Sequence, residues 1–135
     1  MTPHDHQAIA DFVRHTLGCQ CEAAVFRSIS LETDRLADDP TPFARVVIGQ
    51  RLLIYLIRTA PGLSGPSLLP ALAKAGQQER DAQAYNRFRL VLAGDDFPAA
   101  ADLFLEAVGS DAKAHLHVVP ERALPDPVKR LLATP

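Results

Sequence analysis

The sequence lacks the long apolar run that a membrane-spanning helix needs. Its longest apolar stretch, Leu52 to Ile57, has six residues and lies between Arg51 and Arg58, whereas a membrane span takes roughly 20. The N-terminus has neither the basic start nor the apolar middle of a secretory signal. We therefore expect a cytoplasmic protein with no membrane partner.

The sequence also lacks an excess of positive charge and has few aromatic side chains. Lys and Arg number 14 against 16 Asp and Glu, the formal net charge is -2, and aromatic residues make up 6% with no tryptophan. A chain of this charge has no overall attraction to nucleic acid. With so few aromatics it also has little with which to stack unpaired bases. The composition argues against a nucleic-acid partner.

Cysteine is scarce: the chain has two cysteines in 135 residues. A chain of this length buries roughly two-thirds of its unfolded surface, so it builds a core without cross-links. In a reducing compartment a cysteine pair serves more often as free thiols, a redox group or metal ligands than as a structural bridge. The two cysteines, Cys19 and Cys21, are therefore candidates for chemistry.

The N-terminal third predicts two helices around the cysteines. Thr2, Pro3 and Asp5 have the pattern of a capped helix start, and apolar residues recur at helical spacing as far as Leu17. Gly18 is a typical helix stop. A second, short helix is predicted from Cys21 or near it, followed by an edge strand over residues 29–33.

A β-hairpin is the clearest strand signal. Residues 43–48 and 51–59 are two apolar runs, and the two-residue turn Gly49-Gln50 is predicted to join them. That register places Val46 and Ile48 on the same face as Leu53. Both faces are apolar, which predicts cover by helices or by a second copy of the chain in a homodimer.

The C-terminal half alternates helices with strands. Ser67 is predicted to cap a helix over residues 68–85, with a break at Gly76 as an alternative. A strand over 87–93, a helix capped by Asp96, a strand over 114–119 and a short helix from Asp126 follow. The strand–helix–strand order predicts a parallel pair. The sequence thus predicts a single α+β domain over 1–135, with a mixed sheet of four or five strands and helices packed on it.

The Cys19–Cys21 pair is the main candidate site. A helix N-terminus stabilises a thiolate, which favours Cys21, and His15, one helical turn before Cys19, is a candidate base. Glu22 opposes a thiolate at Cys21 by its charge. A Cys-x-Cys disulfide closes a small ring, which suits exchange rather than stabilisation. Redox exchange, metal binding and inert packing all remain open.

The metal alternative needs further ligands. Two thiolates fill half of a tetrahedral site for zinc or another thiophilic metal. His115 and His117, which alternate along one strand face, are the candidates that complete it.

Basic residues form a second candidate site. Arg87 and Arg89 lie on the same predicted sheet face as the two histidines, where they would bind an anion by charge-assisted hydrogen bonds. The alternatives are an ordinary solvated face or salt bridges to acidic residues of the long helix such as Glu79 and Asp81.

The segment Thr16-Leu17-Gly18-Cys19-Gln20-Cys21, with Val25-Phe26, resembles a motif of small bacterial proteins that have no assigned function. The run from Tyr85 to Arg89 is similar to the same group, whose members carry proline after the second cysteine, where this chain has Glu22. The resemblance implies a fold and no reaction.

Two hypotheses follow for the function. In the first, Cys19 and Cys21 form a thiol site for redox exchange or for metal. In the second, the chain is a non-catalytic interaction module that dimerises or binds a partner through its hairpin, and the cysteines are packed. Neither identifies a small-molecule ligand or decides whether the protein is an enzyme.

Overall fold

A five-stranded mixed sheet forms the centre of the molecule. The computed structural model describes residues 1–37, 39–59, 65–94 and 99–133. The sheet order is β1-β2-β3-β4-β5, antiparallel from β1 to β3 and parallel from β3 to β5. The predicted α+β class, with a hairpin beside a parallel strand–helix–strand unit, is confirmed. The strands are β1 (Ile29–Asp34), β2 (Phe43–Ile48), β3 (Leu52–Thr59), β4 (Arg87–Gly94) and β5 (Ala114–Val119).

In the described part of the chain, four α-helices pack on the sheet. Thr2 caps the first helix, with reciprocal hydrogen bonds between the Thr2 and Asp5 backbone and side-chain groups, as predicted. That helix continues into a π-helical segment, Phe12–Thr16. No described helix combines the length and the apolar character needed to cross a bilayer. The helices are α1 (Pro3–Asp11), α2 (Gly65–Gln83), α3 (Ala100–Val108) and α4 (Asp126–Ala133).

The sheet separates two apolar cores. One core joins α1, the π-helical segment and α4 to side chains such as Val46, Ile54 and Val91. The other joins α2 and α3 to side chains such as Tyr55 and Leu90. Alternate residues of β2, β3 and β4 therefore enter opposite cores, as the pleat requires.

The hairpin turn has three residues, so the predicted two-residue turn is wrong. Ile48 pairs with Leu52, which leaves Gly49, Gln50 and Arg51 in the turn. One added residue exchanges the faces of β3 relative to β2. Val46 and Ile48 consequently share a core with Leu52 and Ile54, and Arg51 leaves the strand for the loop.

Helix α2 is continuous across Gly76 and begins at Gly65, so Ser67 lies inside it and is not its cap. Gly76 is buried, and the Phe88 ring occupies the space where a Cβ atom would be. The glycine is required by this close approach of helix and strand. The predicted cap Asp96 lies outside the described residues, whereas Gly109 ends α3 as predicted.

The apolar hairpin is covered within the chain itself. Leu52 to Ile57 are all buried, each at most 4% exposed. Among the described residues, the large apolar side chains that are exposed are Met1, Leu105 and Val118. Of the two predicted covers, helices are therefore what the structure shows, and a homodimer through the hairpin has no support.

Candidate thiol site

The loop that carries the cysteines begins at a well-defined helix end. The Leu17 N–H donates to the Phe12 carbonyl at 3.1 Å, and the Cys19 N–H donates to the Val13 carbonyl at 3.1 Å. The second bond joins residues six positions apart, one more than the 6→1 bond of a Schellman motif, and as in that motif the chain reverses at a residue with positive φ. Gly18 fills that place with a φ of 72°. The helix end therefore fixes the position of Cys19.

The other end of the loop enters a 3-10 helix, Ala23–Arg27, rather than an α-helix at Cys21. A five-residue 3-10 helix has little aligned dipole, so the helix-terminus argument for Cys21 loses most of its force. The Arg14 guanidinium lies 4.4 Å from the centroid of the Phe26 ring. This cation–π contact joins the segments on either side of the loop.

Cys19 and Cys21 are joined by a disulfide, with their Cα atoms 5.4 Å apart. That separation lies within the ordinary range for disulfides, roughly 4.4–6.8 Å. Both residues are half-buried and pack at the margin of the first core. The pair is therefore compatible with a thiol site that solvent and a small reagent reach.

A cavity of about 360 Å³ opens beside the disulfide. Its walls come from the cysteine loop, the β2–β3 turn and the start of β4. The lining residues are Cys19, Gln20, Cys21, Glu22, Val25, Arg51, Leu52, Asn86, Arg87 and Arg89.

Backbone hydrogen bonds hold two of these walls together. The Arg51 carbonyl accepts from the Asn86 N–H at 2.7 Å and from the Arg87 N–H at 3.1 Å. The Gly49 N–H donates to the Ser28 carbonyl at 2.8 Å, which ties the turn to the end of the 3-10 helix segment. Arg51 and Arg87 are thereby anchored side by side at the cavity.

The two arginines of β4 contact the two histidines of β5. Arg87 Nη1 lies 3.1 Å from His115 Nε2, and Arg89 Nη1 lies 2.8 Å from His117 Nε2. The parallel register, in which Arg89 pairs with His115, brings the four residues onto one face. Arg89 Nη1 also donates to the Leu17 carbonyl at 3.5 Å, so this face meets the cysteine loop.

The acidic residues offered as partners of these arginines lie elsewhere. Glu79 pairs with Arg45, and Asp81 pairs with Arg80. In the described part of the chain, no carboxylate forms a salt bridge with Arg51, Arg87 or Arg89. Among the described residues, Glu22 is the one carboxylate that lines the cavity.

The electrostatics of the face follow from its burial and its positive charge. Burial, followed by the charges of Arg89 and His115, lowers the pKa of His117 to about 4. Burial and the two arginines lower the pKa of His115 as well. Burial and the charge of Arg87 lower the pKa of Arg89 from its ordinary value. Both histidines are therefore neutral at pH 7 and accept hydrogen bonds from arginine.

We expect His117 to make the fold less stable in mild acid. An unfolded histidine takes up a proton below its ordinary pKa of 6.5, whereas folded His117 does so only near 4. The free energy of unfolding should therefore fall as the pH drops from 6.5 to 4 and level off below that. We expect this group to account for about 1–2 kcal/mol after allowance for solvent screening.

Urea unfolding of wild type and His117→Gln at several pH values between 7 and 4 measures this effect. Glutamine keeps an acceptor for Arg89 and does not titrate. The difference in the free energy of unfolding between the two proteins should change between pH 6.5 and pH 4. A constant difference across that range would contradict the assignment.

Two predicted roles find no geometric support. His15 is exposed and does not line the cavity, so its role as a base stays a prediction. Within the described ranges, no three His, Cys, Asp or Glu residues are grouped so that they could hold a metal ion. The structure thus brings His115 and His117 to the arginines and does not assemble them with Cys19 and Cys21 as a ligand set.

Arg51 and Asn86 line the cavity although the sequence did not indicate them. The sequence pattern predicts Arg51 in a strand, because it predicts a turn of only two residues before it. Asn86 lies in the segment Tyr85 to Arg89, which is similar to the small bacterial proteins named above, and that similarity is the one sequence feature that points to it.

Comparison of the chain with protein-family models gives no match, and comparison with curated proteins gives no significant relative. The resemblance to small bacterial proteins with a Leu-Gly-Cys-x-Cys motif therefore stays a prediction.

Proposed function

We propose that this protein is a thiol–disulfide exchange protein, with Cys19 and Cys21 as its redox-active pair. The observation that carries the proposal is the joined pair at the mouth of a cavity lined by three arginines. Guanidinium groups near a cysteine favour the thiolate, the form that attacks a disulfide and leaves from one.

The small ring supports a redox role over a structural one. In the chain-entropy model, a loop of two or three residues stabilises a fold by between about 1 and 2 kcal/mol, against about 3 kcal/mol for a 15-residue loop. The two apolar cores supply the stability of the fold without this bond. A cross-link that adds little stability and lies at a cavity is suited to being made and broken.

Disulfide exchange at this pair takes two successive thiolate attacks. An incoming thiolate attacks one sulfur of the Cys19–Cys21 bond, forms a mixed disulfide and releases the other cysteine as a thiolate. A second incoming thiolate then attacks the sulfur of the bound group. One new disulfide leaves, and the protein holds two thiols. The same steps in reverse reoxidise the pair.

Trapping experiments on the reduced protein test this function. Reduced wild type is mixed with hydroxyethyl disulfide, which is neutral, then quenched with acid, alkylated and weighed as the intact protein. We expect a product lighter by two hydrogens, with no lasting adduct, because the second cysteine displaces the bound group.

Cys19→Ser and Cys21→Ser serve as matched variants. Each keeps one thiol, so we expect each to hold a stable mixed disulfide that wild type resolves. The proposal fails if wild type keeps both thiols through the reaction or accumulates two adducts as the single-cysteine variants accumulate one.

A further inference from the structure

We propose that the cavity beside Cys19 and Cys21 binds a small, negatively charged thiol or its disulfide as the redox substrate. This inference rests on the proposed function and names the substrate class of the same site. It is argued from the residues that form the cavity wall, because disulfide exchange by itself requires only the two cysteines.

The charge of the wall points to an anion. Three guanidinium groups, from Arg51, Arg87 and Arg89, line the cavity with one carboxylate, from Glu22. The two histidines that contact Arg87 and Arg89 are neutral at pH 7, because their pKa values are lowered, so they neither add to the positive charge nor offset it. Arginines without a carboxylate partner are well suited to bidentate binding of a carboxylate.

Within the described ranges, Arg89 carries a buried hydrogen-bond donor without a partner at the wall of this cavity. Its Nε is buried and has no hydrogen-bond partner among the described residues, while its Nη1 is shared between His117 and the Leu17 carbonyl. A buried donor without a partner costs free energy. An anion in the cavity would offset the charge of this guanidinium, which forms no salt bridge in the described part of the chain.

The size of the cavity points to a small molecule. Ligand pockets measure roughly 300–1,000 Å³, and this one, at about 360 Å³, lies at the lower end. The exposed large apolar residues of the described chain, Met1, Leu105 and Val118, do not line it. The wall therefore offers charge and hydrogen bonds to a compact ligand, beside a small apolar area from Val25 and Leu52.

The reaction at this site is a balanced two-electron exchange. Two molecules of the anionic thiol are oxidised to one disulfide, while the Cys19–Cys21 bond is reduced to two thiols, and the protons of the substrate thiols pass to solvent and to the released cysteines. The arginines hold the carboxylate of the substrate during both attacks. They also reduce the repulsion between an anionic substrate and a cysteine thiolate.

A charge series of disulfides tests the inference. Reduced protein is oxidised by dithiodipropionate, hydroxyethyl disulfide or cystamine, which are anionic, neutral and cationic. Each rate is divided by the rate of the same reagent with free dithiothreitol, which removes intrinsic reactivity. We expect dithiodipropionate to react about tenfold faster than cystamine at low salt. The preference should shrink in about 0.5 M salt, where the Debye length is about 4 Å.

Variants locate the effect at the cavity. Arg51→Gln and Arg87→Gln, both exposed positions, should each lower the preference by about threefold. Arg35→Gln is the matched control, since Arg35 is an exposed arginine just after β1, at the opposite end of that strand from the Ser28–Gly49 contact. It should leave the preference unchanged.

The outcomes separate this inference from the function on which it rests. Equal normalised rates for the three reagents, or faster reaction of cystamine, would overturn the anionic substrate and leave redox exchange standing. Failure of all three reagents, the neutral one included, to oxidise the pair would overturn both. An anion preference that survives Arg51→Gln and Arg87→Gln would overturn the assignment to this cavity.

Discussion

Gly76→Ala should destabilise the protein by about 3 kcal/mol, although alanine is the better helix former by about 1 kcal/mol in an exposed helix. The added Cβ would coincide with atoms of the Phe88 ring, and Phe88 is 0% exposed. Neither group has room to withdraw, because the ring is packed in the second core between β4 and α2. Chemical denaturation of wild type and variant measures the loss.

A double-mutant cycle identifies the ring as the cause. Phe88→Leu removes the ring atoms that the new Cβ would meet, so Gly76→Ala should cost far less in that background. An equal cost in both backgrounds would show that Gly76 is needed for another reason. Because Phe88 lies between Arg87 and Arg89 on β4, a displaced ring would also disturb the strand that carries both arginines.

Asp111→Asn should cost about 3 kcal/mol, because it breaks a largely buried ion pair. Asp111 Oδ2 lies 2.6 Å from Arg80 Nη2, and the two side chains are 15% and 8% exposed. The same carboxylate accepts from Gln77 at 3.0 Å and from the Lys113 N–H at 2.9 Å. An asparagine amide would place its N–H donors either against Arg80 and Gln77 or against the Lys113 N–H, and the neutral side chain would leave the buried guanidinium without its counter-charge.

Asp81→Asn is the matched control, since Asp81 contacts the same arginine at 3.0 Å but is 68% exposed. It should cost less than about 1 kcal/mol. Arg80, followed by its other hydrogen-bond donors, holds the pKa of the Asp111 carboxyl far below its ordinary value of 3.8. The stability from Asp111 is therefore present above pH 4 and lost as the pH falls below it. Similar losses for the two variants would contradict this account.

The ion pair also bears on the site. Asp111 precedes β5, and Gln77 and Arg80 belong to α2, so the contacts fix the entry of the strand that carries His115 and His117. Thermal or denaturant unfolding gives the stability of each variant, and the rate with hydroxyethyl disulfide shows whether the thiol site keeps its reactivity.

Local signals predicted the fold well where they were redundant. The Thr2–Asp5 capping box, Gly18 and Gly109 each mark a helix end by backbone chemistry that no distant contact overrides. The last strand is predicted at its observed bounds because its apolar residues lie between a turn and a proline. The parallel pair follows from the order of elements alone.

The errors came from features that depend on distant contacts. Whether the hairpin turn has two or three residues is decided by packing on both faces of β3, which a local pattern does not contain. Local sequence marks Gly76 as a weak point of α2. Its reason, the contact with Phe88, lies in another element, β4, and is not visible in the helix sequence. For the hairpin the local pattern left two covers open, helices or a second copy of the chain, and the structure shows helices of the same chain on both faces.

The candidate site was half predictable. The placement of Arg87, Arg89, His115 and His117 on one face followed from alternation along parallel strands, and the structure shows their contacts. That this face meets the cysteine loop did not follow, because the hydrogen bond from Arg89 to Leu17 joins residues 72 positions apart. Arg51 lines the cavity because the turn has three residues and includes it, and the sequence pattern does not predict that turn length.

The most direct test is a redox titration of the Cys19–Cys21 pair in buffers of reduced and oxidised glutathione. The fraction of oxidised protein is read from the intact mass after alkylation. The account predicts a single reversible two-electron transition, with the same curve when approached from the reduced and from the oxidised protein. A pair that stays entirely reduced or entirely oxidised across the series, or that gives no common curve from the two directions, would contradict it.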